Sequence, residues 1–455
     1  MIAKLTPTPE QEVAIGRMVA EPTGAVLQAS DLGTGKTLMA VEAALRFDPA
    51  GVVVISAPLH TFYGWADTVE GQTDGKIFLR PVDNKTKRGK NNLESLQWAV
   101  PGWYFVGREF FRLQDWSKNK FDVIVHDECH SLQNRKSKGF KVAKKISSRL
   151  TILQSATWFG SSFEGAWAIM RVLWPKLSNP GEIADRSYFR WTTNFCATEY
   201  DHFAENNRRI LGELRPGELA SKMPCYVNLR NTATDEPEFV SVYVDLTARQ
   251  KVMYAQMERD GVAWLDNNPM VAELPITVRT RLRQLTLAEA SINDEGLVDF
   301  AVNCKSSKLD VLEGLLADLV GEPVVVATDS AKFARVVADR VGGFAWTGDK
   351  SQKDREDAKR RFMAGELRVI VATQAAISEG TDGLQRVCRV LVELSQSDSP
   401  ILNQQMVGRL NRTGQGRRVI VYRVMARNTL DDPQAETLLN KELRMRASML
   451  KDGKK

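Results

Sequence analysis

No apolar run in this chain approaches the about 20 residues needed to cross a bilayer, so a membrane-spanning role is not expected. The start, MIAKLTPTPEQEVAIG, lacks the charged-then-apolar layout of a secretion signal, and a cytoplasmic location is the expectation. Cysteine is scarce. Cys129, Cys196, Cys225, Cys304 and Cys388 are scattered with no CxxC pair, which indicates free thiols in a reducing compartment and neither structural zinc nor thiol exchange. A large excess of one charge is missing too: 62 basic against 56 acidic residues leave only +6 in 455 residues, too little to announce a nucleic-acid partner. No internal repeat or low-complexity tract interrupts the chain, and its basic tail is the short KDGKK.

What is present is enough apolar material, 43% of residues, for more than one core and about two or three domains. Short β-branched runs recur at VVVIS (52–56), FDVIVH (121–126) and LTILQ (150–154), then at VVVAT (324–328), RVIVAT (368–373), RVLVEL (389–394) and RVIVYRV (417–423). Continuous apolar strands alternating with helix-length segments imply parallel sheets covered on both faces. The runs fall into two groups, and residues 158 to about 300 between them lack such runs, so that stretch reads as mainly helical insertions and a connector. Basic clusters at Lys85, Lys87, Arg88 and Lys90, at Arg135 to Lys145, at Arg279, Arg281 and Arg283, and at Arg409 to Arg418 are arranged as phosphate-backbone contacts could be. Taken alone, each reads better as a solvated face.

The densest chemistry follows the apolar residues Ala25, Val26 and Leu27, where SDLGTGKT leads into the helical pattern LMAVEAALRF. Glycines at 33 and 35 let backbone amides approach phosphate oxygens, and the helix N-terminus favours an anion. Lys36 is expected to reach the terminal phosphates and Thr37 to join a Mg²⁺ shell. Ser30 stands where the usual GxxxxGK[ST] pattern has its first glycine. The second half of the site is expected at the end of FDVIVH. There Asp127 would hold Mg²⁺ and Glu128 would polarise the attacking water, at the strand edge where α/β sheets bind ligands. Hydrolysis also calls for positive charge on the transferring phosphoryl group. Ser399 and Pro400 open a helix that Gly414 is expected to close, with Arg409 and Arg412 three apart on its last turn. Singly, these segments also read as a glycine turn, a surface turn and a basic helix end complementing its own dipole. Their order along one chain favours a nucleotide site.

In that order the motifs resemble those of superfamily 2 helicases, and more closely the Swi/Snf-type DNA translocases, across nearly the whole chain. PEQ (9–11) resembles the adenine-reading glutamine motif, with Gln11 as its glutamine, and SDLGTGKT the Walker A loop, including Gly33, Thr34 and Gly35. SAPLHTFYGW (56–65) resembles motif Ia with Pro58 and Trp65 in place, HDECHSLQNRKSK (126–138) motif II, and SAT (155–157) motif III. FEGAWAIMRVLWPKL (163–177) looks like the helical segment inserted after motif III, and YVDLTARQKVMYAQM (243–257) like the lead into a second lobe. There SSKLDVLEGLL (306–316), TGDKSQKDREDAKRRF (347–362), VATQAAISEGTDGLQ (371–385) and QMVGRLNRTGQ (405–415) resemble the remaining blocks.

The resemblance implies two RecA-like parallel-sheet lobes with helical insertions. One spans residues 1–235, with 158–235 mainly helical, and the other 236–455, with 236–300 a helical lead-in. It implies ATP and Mg²⁺ held between the lobes, with Gly380 and Asp382 connecting the second lobe to the nucleotide. Ser155, Thr157 and His130 would couple the ATP site to DNA, and Thr373 would touch phosphate. The implied partner is DNA, duplex or branched and without regard to base sequence, and the implied state a monomeric motor of the compact kind found in bacteria and their viruses. SEGTDG departs from the Swi/Snf form of motif V toward strand-unwinding members, so the subgroup and any unwinding activity stay open. A nucleotide-switched DNA-binding recruiter and an RNA helicase are the alternatives. Trp158, Trp167, Trp174 and Trp191 are expected to be packing anchors, because little basic interleaving accompanies them.

Overall fold

Both groups of apolar runs become parallel sheets in the computed structural model. It describes residues 4–160, 162–175, 183–202, 207–231, 234–265, 268–272, 274–293, 297–377 and 383–432, with 438, 440, 443–444 and 448–449. The chain divides into two compact units, Met1–Asn231 with Lys441–Lys455, and Thr232–Asn440.

The strands of the first unit are β1 (Ala25–Gln28), β2 (Val52–Ala57), β3 (Leu79–Val82), β4 (Gly102–Gly107), β5 (Lys120–Asp127), β6 (Ser147–Gln154), β7 (Cys196–Tyr200), β8 (Arg208–Glu213) and β9 (Cys225–Val227). Seven of them form one sheet in the order β3-β4-β2-β5-β6-β1-β9, every neighbouring pair parallel. β2 is buried along its whole length, as a strand covered on both faces must be. Val53 and Ile55 meet Met39, Val41, Trp65 and Phe105 in one core cluster. The order places the ends of β1 and β5 on either side of β6, so the loop after β1 and the carboxylates after β5 open at one edge of the sheet.

The second unit contains β10 (Glu238–Val244), β11 (Val262–Leu265), β12 (Asn268–Val271), β13 (Ser291–Ile292), β14 (Val298–Asp299), β15 (Val324–Thr328), β16 (Phe344–Trp346), β17 (Val369–Thr373), β18 (Val390–Glu393) and β19 (Ile420–Ala426). Its six-stranded sheet, β10-β19-β18-β15-β17-β16, is again parallel throughout. Side chains alternate across a strand. Accordingly Val324 and Val326 join a core with Leu309, Leu312 and Phe333, while Val325 and Ala327 join another with Trp346, Phe362 and Met406. Lys308 is buried with them. Its ammonium is matched by Asp431 at 2.7 Å and the Leu394 carbonyl at 2.7 Å, without which so deep a charge would not be tolerated.

The stretch from 158 to 300 is less helical than its composition suggests. It holds the antiparallel pairs β7–β8, β11–β12 and β13–β14, and it supplies β9 and β10, which add to the edges of the two main sheets. Pairing with an existing edge satisfies the backbone of CYV or EFVSVYV in a way that local periodicity does not reveal. The four tryptophans are buried, as packing anchors are. Trp191 is fully enclosed, lies stacked 5.8 Å from Phe163, and donates its indole N–H to the Ile183 carbonyl at 2.9 Å. Trp191→Ala is expected to cost about 3–5 kcal/mol of stability in the first unit, read as a lower urea midpoint. A midpoint unchanged from the parent would remove Trp191 from the core.

Candidate nucleotide site

The loop between β1 and the helix Lys36–Phe47 takes its shape from two glycines in the left-handed region, Gly33 at φ 80° and Gly35 at φ 79°. A Cβ on Gly35 would come within 2.6 Å of the Gln11 amide nitrogen and sit at φ +79°, so a larger residue would have to displace the Gln11 side chain and bear the strain of that backbone. Gln11 itself is engaged at both ends. Its Nε2 donates to the Thr34 carbonyl at 2.8 Å, and its Oε1 accepts from the Thr8 N–H at 2.8 Å in the capping box of the helix Pro9–Ala20. Thr34 donates its hydroxyl to the Asp31 carbonyl at 2.8 Å. Lys36 folds over the loop and donates to the carbonyls of Ser30 and Asp31, each at 2.9 Å. Thr37 follows it in the first turn of the helix.

Ser30 departs from the glycine of the usual pattern for a visible reason. Its buried hydroxyl accepts the Leu229 N–H at 3.0 Å, a bond glycine cannot make. The chain leaving β9 runs along the loop and continues the pairing. The Asp31 N–H reaches the Leu229 carbonyl at 3.0 Å, the Asp31 carboxylate accepts the Asn231 N–H at 3.1 Å and faces Arg230 at 3.4 Å, and the Asn231 amide reaches the Leu32 carbonyl at 3.3 Å. Residues 229–231 are thus part of the wall of the loop.

On the other side of β6, Asp127 closes β5 and Glu128 turns into the left-handed region at φ 49°, a conformation uncommon outside glycine. The Asp127 carboxylate accepts Trp65 Nε1 at 3.2 Å on one oxygen, and Gln154 Nε2 at 2.9 Å and the Glu128 N–H at 3.0 Å on the other. Burial and the neighbouring Glu128 raise its pKa, against the hydrogen bonds from Gln154 and Trp65 and the charge of Lys36. Burial pushes Glu128 upward as well. The hydrogen bond and charge of His130, the charge of Lys36 and the Ser155 hydroxyl outweigh it and carry the group down to about 2. Glu128 is therefore held in its ionised form. Ser155 donates to Glu128 at 3.0 Å and lies 3.1 Å from His130 Nδ1, which in turn is 3.2 Å from the same Glu128 oxygen. The Thr157 N–H bonds the Ser155 hydroxyl at 3.2 Å, so the SAT segment is tied directly to Glu128. His126, buried on β5, is driven down to about 4 by that burial and is neutral.

The structure thus brings together Gln11, Gly33, Thr34, Gly35, Lys36 and Thr37 on one side, and Asp127, Glu128, His130, Ser155 and Thr157 on the other. Trp65 and Gln154 belong with them and were missed as site residues. Trp65 is read in the sequence only for its spacing from Pro58, and Gln154 only as the end of LTILQ, although a polar residue closing an apolar strand is itself a signal. Among the described residues no cluster of three or more acidic, histidine or cysteine side chains is arranged to hold a metal by itself. Asp127, a half-buried carboxylate at the strand end, fits Mg²⁺, which takes one or two carboxylates and completes its shell with water and substrate phosphates.

In the second unit, Thr373 ends β17 and its hydroxyl accepts the Ala376 N–H at 3.3 Å. Gly380 and Asp382 lie outside the described residues. The helix carrying Arg409 runs Pro400–Leu410 and ends at Asn411 rather than continuing to Gly414, so Arg412 stands just beyond it. The Gln415 amide draws the chain back, bonding the Cys388 carbonyl at 2.8 Å, while its N–H closes a turn on the Arg412 carbonyl at 3.0 Å. Ser399 makes no side-chain cap. Asn403, inside the helix, instead reaches back to Ser397, accepting its N–H and donating to its carbonyl, each at 2.9 Å. The basic triplet does not present a row of unmatched cations: Arg283 is gripped by Asp329 and Asp398, and Arg279 by Asp398.

Comparison with known proteins follows the same division. The family described as "Type III restriction enzyme, res subunit" matches residues 4–160, and "Helicase conserved C-terminal domain" matches 307–414. With one match on each parallel-sheet lobe, the chain belongs to the two-lobed, RecA-like superfamily 2 helicase proteins. Its curated relatives include Swi/Snf-type proteins. It is 21% identical to the SWI/SNF-related matrix-associated actin-dependent regulator of chromatin subfamily A member 1 of Homo sapiens, over 94% of this chain and 42% of that protein. It is 19% identical to the uncharacterized ATP-dependent helicase YqhH of Bacillus subtilis, over 97% of this chain and 79% of that protein. A solved structure described as the Sulfolobus solfataricus SWI2/SNF2 ATPase core in complex with dsDNA aligns with 98% of this chain and 95% of its own, at 18% identity and a TM-score of 0.42. The chain spans less than half the length of the human relative.

Proposed function

We propose that this chain hydrolyses ATP with Mg²⁺ and uses the cycle to move along or remodel DNA. The observation that carries the reading is the tie from Glu128 through Ser155 to His130, beside an Asp127 that shares the charge of Lys36. Lys36 would release the loop carbonyls to hold the terminal phosphates, Asp127 and Thr37 would hold Mg²⁺, and Glu128 would take a proton from the attacking water. Bound Mg²⁺ would neutralise developing charge on the phosphate oxygens. Arg409 and Arg412 are proposed to supply further positive charge to the transferring phosphoryl group. Gly380, Asp382 and Thr373 are proposed to carry the second unit's share of nucleotide and phosphate contact.

DNA is favoured as the partner because the motif order and the chromatin-regulator relative point to the Swi/Snf-like group. Exposed Lys85, Lys87, Arg88 and Lys90 add support. They sit at the start of the helix Lys87–Gln97, where its dipole disfavours cations, so helix stability does not account for them. Branched DNA in replication, repair or recombination is the finer proposal, with the chain acting as a monomer. Duplex DNA is expected to stimulate ATP turnover, with affinity falling by a log–log slope of about 0.9 per phosphate neutralised as salt rises. Displacement of a triplex strand tests movement: stimulated turnover without displacement leaves a nucleotide-switched recruiter, and better stimulation by single-stranded RNA an RNA helicase. Forked and four-way substrates test the branched preference.

A further inference from the structure

We infer that Gln154 and Trp65 are positioning residues that set the orientation of the Asp127 carboxylate toward the metal, an inference resting on the ATPase reading above. Gln154 ends β6 in register with Asp127 on β5, and residues paired across parallel strands share a face. Its side chain is 1% exposed and its Nε2 donates to Asp127 Oδ1 at 2.9 Å. Trp65, 2% exposed, comes from the helix Phe62–Gln72 on the far side and donates to Oδ2 at 3.2 Å. The Glu128 N–H adds a third bond at 3.0 Å. An ionised carboxylate offers about four acceptor positions, so these donors leave about one for a cation or its water. The carboxylate cannot rotate without breaking them.

Packing alone does not explain Gln154. Its Oε1 is buried with no hydrogen-bond partner among the described residues, and the adjoining Gln28, in register on β1, leaves its own Oε1 in the same condition. A methionine at 154 would fill the space without an unmatched acceptor. Glutamine is accounted for by the donor it turns toward Asp127. Mg²⁺ demands near-ideal octahedral geometry, whereas Ca²⁺ accepts flexible arrangements, so loss of the aim should fall on Mg²⁺ first.

The test is cation-dependent binding of a fluorescent, non-hydrolysable ATP analogue to the full chain, the Gln154→Met variant and the Trp65→Phe variant, with thermal melting of each. Expected for Gln154→Met is a rise of about 10- to 100-fold in half-saturating Mg²⁺, the range that outer-sphere partners of metal ligands command. Metal-free analogue affinity and half-saturating Ca²⁺ should change much less, and Tm should fall by a few degrees at most, because the lost donor to Asp127 is partly offset by removal of the unmatched acceptor. Trp65→Phe keeps the packing ring and removes the N–H, and should shift Mg²⁺ in the same direction. Unchanged half-saturating Mg²⁺ in both variants, or a loss in Gln154→Met matched by an equal loss of metal-free analogue affinity, overturns the inference. If the parent chain binds the analogue with no dependence on Mg²⁺, the ATPase reading itself fails, a distinct result.

Discussion

Glu128→Gln is expected to lower DNA-stimulated kcat for ATP by about 10²- to 10⁴-fold while leaving nucleotide binding in place, the loss typical of a removed general base. The substitution keeps the shape of a half-buried side chain. The amide oxygen can still accept from Ser155, so the SAT segment keeps its anchor. What disappears is the ionised oxygen that His130, Lys36 and Ser155 hold down at about 2, and with it the proton acceptor. Its partners outweigh the cost of burial, so removing the charge costs some stability, and thermal melting belongs beside the assay. Steady-state turnover with saturating duplex DNA, set beside fluorescent-nucleotide binding, separates these effects. A variant turning over within about threefold of the parent would displace Glu128 from the chemistry and leave Asp127 as the next base to test.

The second large effect is expected in the other unit. Arg409→Ala or Arg412→Ala should reduce kcat by about 10³- to 10⁵-fold if that residue stabilises the transferring phosphoryl group, the range set by arginine fingers. The competing role is local. Arg409 lies in the last turn of the helix Pro400–Leu410, where any cation complements the dipole. Lysine distinguishes the two, since it preserves a point charge but lacks the planar fork of guanidinium. Arg409→Lys that stays near the alanine level supports phosphoryl contact; restored turnover assigns Arg409 to its own helix. Arg412 stands just beyond the helix end, and a normal Arg412→Ala enzyme rules that arginine out as the finger.

Much of this was legible because it is local. VVVIS, FDVIVH and VVVAT declare buried strands by composition alone, and two glycines, a lysine and a threonine at fixed spacing declare the nucleotide loop. The parts that escaped are non-local. β9 is the three residues CYV, too short for any periodic signal, and becomes a strand only because β1 offers an edge. The bonds from Trp65 and Gln154 to Asp127 join residues 62 and 27 positions apart. The helix bearing Arg409 gives up its last expected turn because Gln415 pulls the chain to Cys388, a contact no pattern near Gly414 discloses.

The strap formed by residues 229–231 bears on the order in which the molecule can be completed. β9 and the residues after it are also fixed from later in the chain: the Tyr226 hydroxyl and the Asn228 amide both donate to the Met449 carbonyl, at 2.8 and 2.9 Å. Between Asn231 and Met449 the chain makes the entire second unit. During synthesis, which proceeds at about 5–20 residues per second, the wall of the nucleotide loop therefore lacks its backing until the second unit has been translated. The unit that begins first is finished last, and a fragment cut after Asn231 would carry every motif residue of the first lobe yet still lack the Met449 carbonyl that its final strand was built to meet.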